Sequence, residues 1–169
     1  MTIGLDLGDR RSQAVVLDAG GAEIEERSVA TTWEAFERAF KEYAEAVLVI
    51  GVGTHSPWVS RLFKERGFDV IVTNPRQVRL ISASRHKTDQ IDAHMLARLG
   101  RADPKLLSPV EHRGEEAQRD RALLQARDGL VRCRVLLINQ ARGMTKSLGA
   151  RVPKCSPTVF PRRVARDLR

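Results

Sequence analysis

Hydrophobic and polar positions alternate through the first thirty residues and then change period. Residues 2–7 read as a strand, with Ile3, Leu5 and Leu7 on one face and Gly4, Asp6 and Gly8 on the other. The polar cluster Gly8-Asp9-Arg10-Arg11 reads as a turn. Residues 12–18 form a second strand ended by Ala19-Gly20-Gly21, and residues 22–30 a third, partly exposed one. Trp33, Phe36, Phe40 and Tyr43 then fall at helical spacing, with Thr31 or Thr32 as N-cap. Residues 46–53 (AVLVIGVG) are a continuous apolar run of the kind found in a buried parallel strand. Residues 57–66 predict a second helix closed by Gly67, and residues 68–74 another buried strand. The order β-β-β-α-β-α-β predicts an α/β fold, a mixed sheet flanked by helices.

Past Pro75 the pattern is helical. Residues 75–83 predict a short helix and Thr88 to Leu99 a better one, stopped by Gly100. With residues 1–100 as the first domain, residues 101–114 read as a linker. A single helical pattern occupies residues 115–148. Leu123, Leu130, Leu137 and Met144 stand seven apart in it, and Leu124, Val131 and Ile138 widen the stripe. A lone helix cannot bury such a stripe, so a coiled-coil arm that self-associates is expected. Residues 149–169, with Pro153, Pro157, Pro161 and several arginines, read as an extended or poorly ordered basic tail.

Charge sharpens this division. The chain of 169 residues carries a net +8, but residues 1–80 hold 10 Lys/Arg against 12 Asp/Glu, and residues 81–169 hold 19 against 9. The positive excess is confined to the second half, which points to a polyanionic partner. Cys133 and Cys155 lack both the spacing of a zinc site and the number of a disulfide framework. No apolar run approaches the roughly 20 residues that span a bilayer, and two acids within nine residues exclude a secretory leader. A cytoplasmic protein with no membrane partner is expected.

Three acids carry the candidate chemistry. Asp6 stands in the middle of an apolar strand, where an unpaired carboxylate is costly. A structural salt bridge, or a role as a turn acid before Gly8-Asp9, accounts for it without function; a phosphate-binding turn is a second functional reading, because GLDLG also opens actin-like sugar kinases. Asp89 and Asp92 are i and i+3 and share a helix face. Acids in a first helical turn complement the macrodipole without any metal. Their setting, with Arg85 and Lys87 before and Arg98 and Arg101 after, suits a divalent cation and a phosphate together. Arg127, Arg134, Arg142 and Lys146 on the long helix can track phosphates, or form a solvated face. His55, His86, His94 and His112 lack ligand spacing, and Trp58 reads as core rather than as a base-stacking platform.

IGLDLG, VGTHSPWVSRLFKERGFDVIVTNPRQVRLI, HKTDQIDAHMLARLGRADPKLLSPVEHRGEEAQ and the segment from Arg121 to Cys155 together resemble the DEDD transposases of the insertion-sequence 110 family. The resemblance covers essentially the whole chain. It implies an RNase H-like (RuvC-like) domain followed by a coiled-coil region. It also implies Mg²⁺ (or Mn²⁺) held by four acids, DNA strand cleavage and transfer, and an associated structured RNA. The first and the last two acids fall on Asp6, Asp89 and Asp92. The family's glutamate falls on Gly51. The family's C-terminal domain with its nucleophilic serine has no counterpart here, and none of Ser12, Ser56, Ser82 or Ser147 has a context that would replace it. The chain alone is therefore expected to be inactive. The alternatives are a degenerate copy acting only as a nucleic-acid-binding, oligomerising module, or an actin-like phosphotransferase resting on GLDLG.

Overall fold

The computed structural model describes residues 1–74 and 89–167, without the side chains of Asp89 and Asp167. The short helix expected at 75–83 lies outside these residues. The chain forms two compact units, Met1–His112 and Arg113–Arg169.

The first unit is built on strands β1 (Thr2–Asp6), β2 (Arg11–Leu17), β3 (Glu23–Ala30), β4 (Val47–Gly51) and β5 (Asp69–Thr73). Their order across the sheet is β3-β2-β1-β4-β5. The first three strands form an antiparallel meander, and β4 and β5 add in parallel to β1. Helices α1 (Trp33–Phe40) and α2 (Ser56–Glu65) make the crossovers. The Thr32 side chain caps α1 by accepting from the Ala35 amide.

Alternation in β1 sorts the two faces of the sheet as the pattern predicts. Ile3 and Leu5 are buried with Leu48 and Ile50 against Phe36, Phe40, Leu62 and Phe63 of α1 and α2. On the other face lies helix α3 (Asp89–Ala102). Its Ala93 and Ala97 meet Val15 and Leu17, and its Leu96 and Leu99 meet Val49 and Ile71. The expected RNase H-like mixed sheet flanked by helices is thus the fold.

Gly100 does not end α3, which continues to Ala102. A Cβ on Gly100 would lie 2.2 Å from Val49 Cγ2. The glycine serves close approach to β4 instead of termination. Part of the stretch 101–114, read as linker, docks on the sheet. A 3₁₀ turn (Pro104–Leu107) buries Leu107 completely, and Thr73 donates its hydroxyl hydrogen to the Leu107 carbonyl. Pro109 bridges Thr73, and the Val110 amide donates to the Val72 carbonyl.

The second unit is dominated by α4 (Glu115–Ser147), 33 residues long. Leu123, Leu130, Leu137 and Met144 are each 63–73% exposed along it, so the stripe has no cover within the described chain. The tail departs from expectation, because it carries helix α5 (Phe160–Asp167). Pro161 sits in its first turn, where a missing amide hydrogen is harmless. Phe160 is buried with the Arg142 guanidinium 5.4 Å from its ring centroid, so this segment has an apolar anchor. Among the described residues, no helix is long and apolar enough to cross a membrane.

Candidate acid site

The position of Asp6 follows from strand register. In β1 it is the last residue, half-buried, on the same face as Gly4. A Cβ on Gly4 would lie 2.1 Å from the Ala93 carbonyl oxygen and 2.4 Å from the Ala97 amide nitrogen, so α3 rests directly on β1 there. The space that glycine clears is filled by helix backbone. Gly100 lies beside Thr2 and Val49. Helix α3 therefore runs antiparallel to β1, and its first turns, with Asp89 and Asp92, come level with Asp6.

Asp92 is half-buried, and its Oδ1 atom is fully shielded from solvent with no hydrogen-bond partner among the described residues. A shielded carboxylate oxygen without a donor is an unusual state for a folded chain. A cation would satisfy it, so this donor set fits a hard divalent ion that takes carboxylate oxygens and water. The first and last acids of the expected set thus come to one end of the sheet.

Gly51 occupies the fourth corner. The β1–β4 ladder pairs Gly4 with Val49 and Leu5 with Ile50, so one step on, Gly51 stands beside Asp6. Alternation puts Gly51 on the face of Val49, the face that α3 covers. A glutamate at this position would be directed to the side on which Asp6 and Asp92 lie. Glu45 precedes the strand at its other end.

The cations are less gathered than the acids. Arg85 and Lys87 lie outside the described residues. Arg98 and Arg101 lie about 9 Å and about 13 Å along α3 from Asp92, at 1.5 Å per residue, toward the far end of the sheet. Arg101 donates to the Ala19 and Gly20 carbonyls at 3.3 and 2.7 Å and so clasps the β2–β3 turn. On α4, Arg127 and Arg134 flank Leu123 and Leu130 on one face. Arg142 stacks on Phe160, while Lys146 is exposed in the last turn.

The segment after β4 is held by His55. His55 accepts a hydrogen bond from Trp58 Nε1 at 3.1 Å through Nδ1, so Nε2 carries the hydrogen and faces Asp9 at 3.5 Å. Trp58 packs on Phe36 with 5.8 Å between ring centroids, a core role. Ser56 is completely buried and donates to the Gly53 carbonyl at 2.9 Å.

One cluster escaped the sequence reading. His94 Nε2 lies 3.6 Å from Glu23 and 3.7 Å from Glu26, and the three groups are close enough to share an ion. Residues three apart in a strand ordinarily face opposite ways. Here a register shift opposite Val16 and Leu17 inserts an extra residue, turning both glutamates toward α3. Glu23, Ile24 and Glu26 gave no spacing signal for this. The His94 ring faces both carboxylates.

The fold is an α/β domain with a mixed sheet flanked by helices, followed by a long helix. The family model of the insertion-sequence 110 DEDD transposases, described as "Transposase", matches residues 3–148. The chain belongs to this family, and with it to the transposases and recombinases that cleave nucleic acid. Among solved structures it is similar to Thermus thermophilus RuvC, at 14% identity over 60% of this chain and 95% of that chain, with a TM-score of 0.40. No curated protein matches the chain.

Proposed function

We propose that the chain forms the acid-bearing domain and arm of a DNA transposase, with Asp6, Asp89 and Asp92 holding Mg²⁺ (or Mn²⁺). The observation that carries this reading is the shielded, donorless Oδ1 of Asp92 on the turn of α3 that is level with Asp6. When bound, such an ion polarises a phosphodiester and supplies a nucleophilic water near neutral pH. The residues' part is to hold position. β1 fixes Asp6 through its two ladders, and α3 is seated by Gly4 and Gly100. The basic second half would follow the phosphates of DNA, and part of it those of a structured RNA. Two copies of α4 would bury the leucine stripe against each other.

Gly51 favours a second reading for this chain, a module that binds nucleic acid and self-associates without cleaving. With three acids at the site, the ion would be held weakly and one charge would go uncompensated. The family match leaves the actin-like reading without support.

The test is a Mn²⁺ titration followed by paramagnetic broadening of amides near Asp6 and Asp92. The chain as it stands should bind weakly. Gly51→Glu should bind at least about tenfold tighter, a difference of about 1.4 kcal/mol. Tight binding without the glutamate would overturn the account of the gap. Absence of binding by Gly51→Glu would sink the metal site.

A further inference from the structure

Five residues after Gly51, at Ser56, the chain is clamped by a side chain from the far end of the same unit. The Ser56 hydroxyl makes three contacts, all at 2.9 Å. It accepts from the Gly53 amide, donates to the Gly53 carbonyl, and meets His112 Nε2. A serine has one hydrogen to give, and the Gly53 carbonyl takes it. His112 must therefore be the donor, with its hydrogen on Nε2.

His112 is the last residue of the first unit, and the arm helix begins three residues later at Glu115. Its ring is half-buried, which favours its neutral form, and Arg61 and Lys64 of α2 add to that preference. Ser56 is fully buried, so water does not compete for this bond. The segment 52–55, which joins Gly51 to α2, is held from within by the Gly53–Ser56 pair and from outside by His112.

We infer that His112 is a positioning residue for the acid site: acting through Ser56, it fixes the segment following Gly51 and ties that segment to the root of the arm. The inference rests on the acid-site reading for its purpose, although not for its geometry. The chain leaves the first unit immediately after His112.

The experiment compares His112→Ala, His112→Gln and Ser56→Ala in the full chain. Glutamine carries a side-chain N–H that can replace the imidazole donor, whereas alanine cannot. Hydrogen exchange of the Gly53 amide reads the clamp directly. Exchange should quicken about tenfold in His112→Ala, the scale of one lost hydrogen bond, and return in His112→Gln. Ser56→Ala should quicken it further, and circular dichroism checks that each variant is folded. Unchanged Gly53 exchange in a folded His112→Ala overturns the inference, as does failure of glutamine to restore it.

In the Gly51→Glu background, Mn²⁺ affinity should fall several-fold with His112→Ala and recover with His112→Gln. A metal affinity indifferent to His112 would leave the bond structural and overturn its positioning role. If Gly51→Glu binds no Mn²⁺ at all, the metal-site reading fails, and Gly53 exchange still decides the clamp.

Discussion

A methyl group on Gly4 would stand 2.1 Å from the carbonyl oxygen of Ala93. The neighbour is helix backbone, which cannot swing aside as a side-chain tip can. Gly4→Ala should therefore push α3 off the sheet, at a cost of about 1–3 kcal/mol or more. Urea denaturation measures that loss. The same variant in the Gly51→Glu background should lose metal affinity, because Asp92 rides on the displaced helix. A stable Gly4→Ala protein with unchanged Mn²⁺ binding would contradict the proposed seating.

Nucleic-acid binding should weaken steeply with salt, since phosphate contacts release counterions. Arg127→Ala and Arg134→Ala should each lower the slope of log affinity against log salt by about one. Arg142→Ala should behave differently. Its guanidinium stacks on Phe160, so its loss should loosen α5 more than it weakens binding. Fluorescence anisotropy over a salt series, paired with limited proteolysis of the tail, separates the two effects.

The pH dependence has a definite sign at His112. Its pKa is held below the ordinary 6.5 by burial first, then by Arg61 and Lys64. The unfolded chain therefore takes up this proton at higher pH than the folded one. The stability involved is fully present above the ordinary histidine value. It declines as pH falls from there toward the depressed native value and levels off below that. Urea midpoints measured on both sides of this window should drop toward acid. His112→Gln should flatten that part of the curve.

Self-association should depend on the exposed stripe of α4. Leu130 is 73% exposed at its middle, and Leu130→Arg should convert any dimer to monomer in sedimentation equilibrium. Cys133 is exposed and three residues on, the spacing of the second seam position in a coiled coil. A parallel pair would bring two copies of Cys133 together, so mild oxidation should give a crosslinked dimer. A wild-type chain that stays monomeric at high concentration would leave the stripe to another occupant.

Much of the first unit was legible because its elements bury one face each. Period two in β1 placed Asp6 opposite Ile3 and Leu5, and the apolar run 46–53 announced β4. What escaped depended on contacts distant in sequence. Gly100 looks like a helix stop until Val49 is seen against it. Leu107 lies in a Pro-rich stretch whose composition says linker, yet the sheet buries it. Pro161 suggests disorder unless it is placed in the first turn of α5. The acid set shows the same division. Spacing could pair Asp89 with Asp92, but only the antiparallel course of α3 sets that turn beside Asp6. The joining of Glu23 and Glu26 depended on a bulge, which leaves no periodic trace.

That bulge does more than bring Glu23 and Glu26 to His94. β3 is an outer strand of the sheet, and an open strand invites pairing with a neighbouring molecule. Here the invitation is withdrawn twice, by a kink that spoils the hydrogen-bond spacing and by a row of glutamates that repels a second copy of itself. At the opposite margin, Pro109 and Val110 cap the end of β5. With both margins guarded, edge-to-edge pairing of copies into fibres is discouraged.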